Sequence, residues 1–112
     1  MPSPARIRST LATMALPPEE LRDLRLFHKA LADVTRLRMV QRLAESPATV
    51  TELIDHVELS QPLVSWHLRT LRSTGLVETR RSGREVICSL RPEAFEGYLA
   101  RERELLGLPG RA

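Results

Sequence analysis

Apolar residues recur at helical spacing through most of residues 18–73, and this pattern predicts four consecutive helices. The first follows two prolines, has an acidic first turn that suits the helix dipole, and runs to about residue 32. Asp33 or Thr35 caps the second helix, which ends near Ser46. For this second helix the spacing predicts one apolar side, with the arginines towards another side. The members of that side are Leu37, Val40, Leu43 and Ala44.

The third helix has a clear N-terminal signal. Thr49 and Glu52 form the T-x-x-E pattern of a capping box, and the apolar residues that follow keep the spacing of a helix face. Glu58 then lies in a tight turn, where a positive φ costs about 1 kcal/mol for a residue other than glycine. Ser60 is a good cap for the fourth helix, and Pro62 is tolerated in its first turn.

The fourth helix, over residues 61–73, separates into two chemically distinct faces. Val64, Leu68 and Leu71 form the expected buried stripe. The opposite stripe carries hydrogen-bonding groups, and no acidic residue occurs between positions 60 and 76. Such groups are able to contact the base edges and phosphates of DNA. This polar stripe consists of Gln61, Ser65, Arg69 and Arg72.

A β-hairpin follows the fourth helix. Its predicted strands are residues 76–81 and 84–90, joined by a Ser82-Gly83 turn. Three arginines lie near the tip, namely Arg80, Arg81 and Arg84. A basic hairpin directly after such a helix suits contact with the sugar-phosphate backbone or the minor groove. A solvated tip that serves only solubility is the alternative, and the position of the hairpin favours DNA contact.

Charge is concentrated in the same region. The 112-residue chain has a net charge of +3 and an isoelectric point near 10.0, and all but one of its 17 basic residues are arginines. Arginine suits bidentate contacts to phosphate and guanine. Between positions 60 and 84 five arginines stand against a single glutamate, whereas the segment after residue 92 is close to balanced. The positive field therefore belongs to the fourth helix and the hairpin.

Length and composition exclude several other classes of protein. The chain fits one domain, predicted over residues 18–106 between a flexible arm at 1–17 and a tail at 107–112. No apolar run is long enough for a membrane span or a signal peptide, so we expect a soluble cytoplasmic protein. The single cysteine excludes an intrachain disulfide. An enzyme is disfavoured because the chain has no nucleophile motif, glycine-rich phosphate loop or convergent acid-base pair.

Three short motifs carry a resemblance to a known family. They are A-L-A-D-x-T-R-L-R at 30–38, L-S-Q-P-x-V-S-x-H-L at 59–68 and G-L-V at 75–77. Over roughly residues 24–91 the chain closely resembles the ArsR/SmtB family of bacterial winged-helix repressors. The resemblance implies a mostly α fold of about five helices with a small β-hairpin wing, and a homodimer in which the first and last helices pack together. Matching candidates for that interface are Leu21, Leu24, Phe27, Phe95, Tyr98 and Leu99.

The resemblance raises the question of metal sensing, and the residues present argue against the family's usual sites. Thiolate sites need cysteines near the third or fourth helix, and residues 49–73 contain none. Sites on the last helix of family members combine aspartate and histidines with glutamate, whereas residues 92–112 supply only glutamates. We therefore expect no metal site and no cofactor. The alternative is a metal- or thiol-redox-responsive repressor with a non-standard site drawn from His28, His56 and Cys88.

Three side chains have both a structural and a functional interpretation. His67 lies beside Leu71 on the helical wheel and is predicted to be a hydrogen-bonded structural histidine that also touches a phosphate. Cys88 shares a strand face with apolar residues, which favours a small buried side chain over a redox switch. Trp66 stands where the family usually has a polar or basic residue. It suits either a partly exposed indole or contact with a sugar or thymine methyl.

Together these features predict a homodimeric repressor that binds an inverted-repeat operator in double-stranded DNA through residues 61–73 and a wing at 78–86. We expect base-edge contacts from Gln61, Ser65 and Arg69. We expect phosphate or minor-groove contacts from Ser60, His67, Arg72, Arg80, Arg81 and Arg84. Pro62 and Trp66 complete the predicted DNA-contacting set. A winged-helix module that binds an acidic protein partner is the alternative.

Overall fold

The structure is a computed structural model that describes residues 19–109, so the predicted arm at 1–17 and the last three residues lie outside it. Within the described residues five helices and three strands follow one another in winged helix-turn-helix order, which confirms the predicted fold class. The elements are α1 (Glu19–Leu31), α2 (Val34–Glu45), β1 (Ala48–Thr49), α3 (Val50–Val57), α4 (Gln61–Ser73), β2 (Val77–Ser82), β3 (Glu85–Leu90) and α5 (Pro92–Leu106).

Local capping sets where α2 and α3 begin. The Asp33 carboxylate accepts the backbone N–H of Arg36 at 3.1 Å, which identifies Asp33 rather than Thr35 as the cap of α2. That hydrogen bond is also the main reason why the pKa of Asp33 is lowered. At α3 the capping box forms in both directions, because Thr49 Oγ1 accepts from the Glu52 N–H and Glu52 Oε1 accepts from the Thr49 N–H. The bond that the Thr49 N–H donates to the carboxylate is the main reason why the pKa of Glu52 is lowered.

The turn between α3 and α4 has the backbone geometry that a glycine would adopt most easily. Glu58 has φ 57° and ψ 41°, in the left-handed region, and its N–H bonds the carbonyl of Ile54 at 2.9 Å. Ser60 then occupies the N-cap position of α4, although its side chain does not bond the helix. The hydroxyl of Ser60 is therefore exposed at the start of α4.

The core lies where α1, α2, α3, α4 and the sheet meet. The predicted buried stripe of α4 is confirmed, because Val64, Leu68 and Leu71 are all buried. The predicted side of α2 is wrong in part. Its buried residues are Arg36, Met39 and Leu43, whereas Leu37 and Ala44 are exposed. Apolar residues occur around most of the circumference of α2, so spacing alone does not single out one face.

The three strands form one antiparallel sheet in the order β1-β3-β2. The two-residue strand β1 was not predicted. It pairs with the edge of β3 that faces away from β2, and this pairing places Ala48 opposite Cys88. The hairpin turn lies one residue later than predicted. Ser82 still pairs with Glu85, which leaves Gly83, at φ +63°, and Arg84 in the turn itself. The consequence is that Arg84 lies at the very tip of the hairpin.

Helix α5 packs against α1 through aromatic rings. The Tyr98 ring stacks on Phe27 with centroids 4.5 Å apart, and the Phe95 ring meets Phe27 edge-on at 6.0 Å. This packing corrects the predicted dimer interface. Leu24 and Phe27 are only 6% and 2% exposed within a single chain, because α5 covers them. The remaining candidates, Leu21, Phe95, Tyr98 and Leu99, keep exposed surface.

Candidate nucleic-acid interface

The four polar residues predicted on α4 are all exposed, and we call Gln61, Ser65, Arg69 and Arg72 the reading face. They do not form a single stripe. Gln61, Ser65 and Arg72 line a groove of about 340 Å³ between α4 and the hairpin, and Arg69 is not among the residues that line it. At about 100° per residue, Arg69 lies further round the helix towards its outermost line. The reading face therefore has one flank inside the groove and one outside.

The hairpin and the start of α3 form the other walls of this groove. Arg84 and Thr79 line it from the hairpin, and Thr51 lines it from α3. Arginine is thus present on both the α4 wall and the hairpin wall, and Glu85 is the single carboxylate among the lining residues. The lining also includes apolar residues such as Ile54 and Leu68, and its arginines and hydroxyl groups suit a sugar-phosphate strand laid along it.

Strand register separates two arginines that are adjacent in sequence. Arg80 pairs with Ile87 and Arg81 pairs with Val86. Successive side chains of a strand point to opposite faces of the sheet. Arg81 therefore shares a face with Thr79 and Val86, both of which line the groove, whereas Arg80 lies on the other face. Arg84 therefore lines the groove and Arg81 lies on the groove side of β2, whereas Arg80, also predicted as a DNA contact, lies on the opposite face.

His67 is predicted as a DNA contact, and the structure corrects this part of the prediction. The side chain is 6% exposed, and its Nδ1 lies 3.0 Å from Nη1 of Arg36. Burial leaves the imidazole too little surface to act as a phosphate ligand. The other part of the prediction, a hydrogen-bonded structural histidine, agrees with the contact to Arg36.

Arg36 itself was missed by sequence reasoning. Arginine side chains are rarely buried, so the residue type does not predict that Arg36 is buried. Arg36 nevertheless lies three residues before Met39 and seven before Leu43, on the helical spacing of the buried face of α2. This spacing is the signal that could have identified it.

Trp66 lies on the flank of α4 away from the groove, and it is 55% exposed. The guanidinium carbon of Arg36 is 5.7 Å from the centroid of the indole ring, which is within cation–π distance. The guanidinium of Arg36 therefore lies against the indole ring, and more than half of the side chain is exposed to solvent. Pro62, in the first turn of the same helix, is also exposed.

The residues of the alternative sensor site do not come together. Cys88 is completely buried in the central strand β3, and burial raises the pKa of its thiol from 9.0 to about 11. A thiol of this kind is protonated at neutral pH and is a poor nucleophile. His28 bonds Glu102 on α5, and His56 is exposed on α3. Among residues 19–109 no three potential metal-ligating side chains are grouped closely enough to hold a metal ion.

The described part of the chain also contains no helix that combines the length and apolar character needed to cross a membrane. It contains a winged helix-turn-helix formed by α3, α4 and the hairpin. The exposed face of α4 is basic and has no acidic residue, and the basic hairpin lies beside that face.

The chain belongs to the arsR family of bacterial regulatory proteins, whose family model matches residues 33–79. It is 44% identical over 77 residues to the transcriptional repressor SmtB of Mycobacterium tuberculosis, an alignment that covers 68% of this chain and 57% of that repressor. A probable mercury resistance operon repressor of Streptomyces lividans is 38% identical over 86 residues, covering 77% of this chain and 68% of the relative. The family predicted from the three motifs is thereby confirmed.

A solved structure shares the fold. HlyU from Vibrio cholerae superposes with a TM-score of 0.64 at 31% identity, over 76% of this chain and 94% of HlyU. The M. tuberculosis and S. lividans relatives are both named as repressors, and the chain belongs to the same family. The chain spans little more than half the length of the M. tuberculosis repressor.

Proposed function

We propose that the protein is a homodimeric transcriptional repressor that binds an inverted-repeat operator in double-stranded DNA. The observation that carries this proposal is the reading face, which is exposed, contains no carboxylate and adjoins a groove with arginine on both walls. A phosphate backbone would repel acidic side chains from such a surface and attract arginines to it. The family membership and the repressors among its relatives support the same role.

The geometry supports a division of work within this interface. Gln61, Ser65 and Arg69 read base edges from α4, since glutamine matches adenine and arginine matches guanine in the major groove. Arg72, Arg81 and Arg84 hold the sugar-phosphate backbone along the groove. Ser60 and Pro62 contact the backbone at the start of α4. His67 does not belong to this set because it is buried.

The proposed homodimer is supported by the surface of α5. Leu99 and Leu106 on α5 and Leu26 on α1 are large apolar side chains left exposed by the single chain. Dimeric helix-turn-helix proteins bind half-sites about one helical turn of DNA apart, so for a twofold dimer formed through α1 and α5 we expect an inverted-repeat operator. A cytoplasmic location, where the operator is found, follows from this role.

The S. lividans relative is named as a probable mercury resistance operon repressor, and we do not extend a role in mercury resistance to this chain. Mercury-type soft metals require thiolate ligands. This sequence has a single cysteine, and that residue is buried within the sheet. The donor set present does not fit a thiolate-bound metal.

The test uses a palindromic site from the protein's own promoter and compares two variants by fluorescence anisotropy at several salt concentrations. Arg81→Ala is expected to weaken binding to all sequences and to lower the salt slope by about 1, because one phosphate contact is lost. Gln61→Ala is expected to weaken binding to the operator by about 1–3 kcal/mol and to relax its sequence preference. Arg80→Ala is the matched control, since Arg80 has the same charge but lies on the other face of the hairpin.

Two outcomes would contradict these assignments. Wild-type protein with no preference for the operator over random DNA would favour the alternative of a module that binds an acidic protein partner. Equal loss of specificity in Arg81→Ala and Gln61→Ala would contradict the division between backbone and base contacts.

A further inference from the structure

Arg36 and His67 are the two buried polar side chains of the described residues, and they contact each other. The Arg36 guanidinium makes three polar contacts. Its Nε donates to the carbonyl of Ala30 at 2.6 Å, its Nη2 donates to the carbonyl of Lys29 at 3.3 Å, and its Nη1 lies 3.0 Å from Nδ1 of His67. One side chain of α2 thus joins the end of α1 to the middle of α4.

This arrangement explains how a guanidinium is tolerated at 8% exposure. A buried charge is costly unless its donors are satisfied. The last carbonyls of a helix have no partner within the helix and carry the negative end of its dipole. Lys29 and Ala30 lie in the last turn of α1, so their carbonyls supply both the acceptors and the favourable potential that Arg36 requires.

The contact also indicates the tautomer of the neutral His67 ring. Arginine has donors only, so Nδ1 of His67 must be the acceptor in this hydrogen bond. The proton of the neutral ring therefore resides on Nε2. A proton on Nδ1 would point directly at the guanidinium and break the contact.

We propose that Arg36 is a positioning residue that acts through His67 to hold α4, and with it the reading face, in a fixed orientation against the end of α1. The same guanidinium supports the ring of Trp66 from 5.7 Å, so it contacts two consecutive residues between Ser65 and Arg69 of the reading face. Arg36 has too little exposed surface to bind phosphate itself. This proposal rests on the proposed function, because the reading face acts only if the protein binds DNA.

The first test compares Arg36→Met with Arg38→Met. Methionine keeps a long side chain but has no donor, and Arg38 is an exposed arginine of the same helix that bonds only the carbonyl of His56 among the described residues. Arg36→Met is expected to lower operator affinity by about tenfold to a hundredfold, the range for a lost hydrogen bond to a charged group. Its affinity for random DNA and its salt slope should match those of Arg38→Met, because the two variants lose the same charge.

The second test uses rescue at His67. His67→Asn places an amide oxygen near the position of Nδ1 and still accepts from Arg36, whereas His67→Leu has no acceptor. We expect the asparagine variant to retain most of the operator affinity and the leucine variant to lose about as much as Arg36→Met. Combining Arg36→Met with His67→Leu should add little further loss, because both substitutions remove the same contact.

The third measurement needs no DNA. Long-range ¹H–¹⁵N NMR of the wild-type protein should show the His67 proton on Nε2, and the indole N–H signal of Trp66, the single tryptophan, should shift in Arg36→Met but not in Arg38→Met. If Arg36→Met does not fold, the His67 pair and the wild-type spectrum decide the question.

A proton on Nδ1 of His67 in the wild-type protein would overturn the proposal. So would a folded Arg36→Met variant that keeps the operator preference and the Trp66 signal of the wild-type protein. If the wild-type protein prefers no DNA site, the proposed function fails, and the two NMR measurements then decide separately whether Arg36 holds α4.

Discussion

Helices α4 and α5 are similar in length, with 13 and 15 residues, and each has a proline in its first turn, yet they are held in opposite ways. Helix α4 has four buried residues and is part of the core. Helix α5 has none, rests on α1 through half-buried aromatic rings and leaves leucines exposed. The reading face of α4 is therefore held in place within one chain, whereas the proposed dimer contact of α5 needs a second copy of the chain.

The two helices also differ in whether their arginines form salt bridges within the chain. On α5, Arg101 bonds Glu104 at 2.9 Å and lies 3.4 Å from Glu20 of α1, so its charge is paired within the chain. Within the described residues no carboxylate pairs with Arg69 or Arg72 of α4 in a salt bridge. Exposed salt bridges add little stability. Their importance here is that they pair Arg101 of α5 within the chain, whereas no described carboxylate pairs with Arg69 or Arg72 of α4.

The largest expected effect comes from the core side of α4. Leu71→Ala should lower the free energy of unfolding by about 2–5 kcal/mol, because it leaves a cavity beneath a completely buried side chain. Urea denaturation measures this loss. Leu106→Ala on α5 is the control and should change stability by about 0.5 kcal/mol or less at low protein concentration, where the chain is monomeric. Similar losses in the two variants would show that α5 is as deeply packed as α4.

An intermediate effect is expected on assembly. Leu99→Glu places a charge on the exposed apolar side of α5 and should raise the dimer dissociation constant at least about tenfold, because the charge would be buried in the dimer. Sedimentation velocity measures the change, and circular dichroism should show an unchanged fold. Leu37→Glu, at an exposed leucine of α2, is the control and should leave the dimer intact. Equal masses for Leu99→Glu and the wild-type protein would contradict the proposed role of α5.

The smallest expected effect concerns a hydrogen bond between α5 and the C-terminal end of α4. The Tyr98 hydroxyl of α5 donates to the carbonyl of Thr74, the C-cap of α4, at 2.9 Å. Tyr98→Phe keeps the stacking on Phe27 and removes only this bond, so thermal or urea unfolding should show a loss of about 0.5–1.5 kcal/mol. Tyr98→Leu also removes the ring and should cost more. Equal losses in the two variants would show that the hydroxyl, rather than the ring, anchors α5.

Much of α4 and its surroundings could be predicted because local chemistry is decisive there. Its apolar and polar residues fall on separate faces, so Val64, Leu68 and Leu71 could be assigned to the core from spacing alone. The capping box at Thr49 and Glu52 depends on residues three apart and needs no tertiary contact. Features of this kind are encoded within one or two helical turns.

The features that were missed depend on contacts between distant segments. Strand β1 has two residues, too few for an alternating pattern, and exists because it pairs with β3 about 40 residues later. Burial of Arg36 depends on the carbonyls at the end of α1 and on His67 of α4. Leu24 and Phe27 were assigned to a dimer interface because the family resemblance implies that the first and last helices pack in a dimer, but it does not identify the side chains that α5 of the same chain covers.

The sheet has one further consequence, which concerns the free protein. Strand β3 is flanked on both sides, so β2 forms an outer edge of the sheet, and an exposed edge strand is a template for pairing with the edge of another molecule. Arg80 and Arg81 lie along that edge and are exposed. Charged side chains on an edge strand oppose such pairing by mutual repulsion. The arginines of the hairpin therefore also oppose edge-to-edge pairing between molecules of this protein.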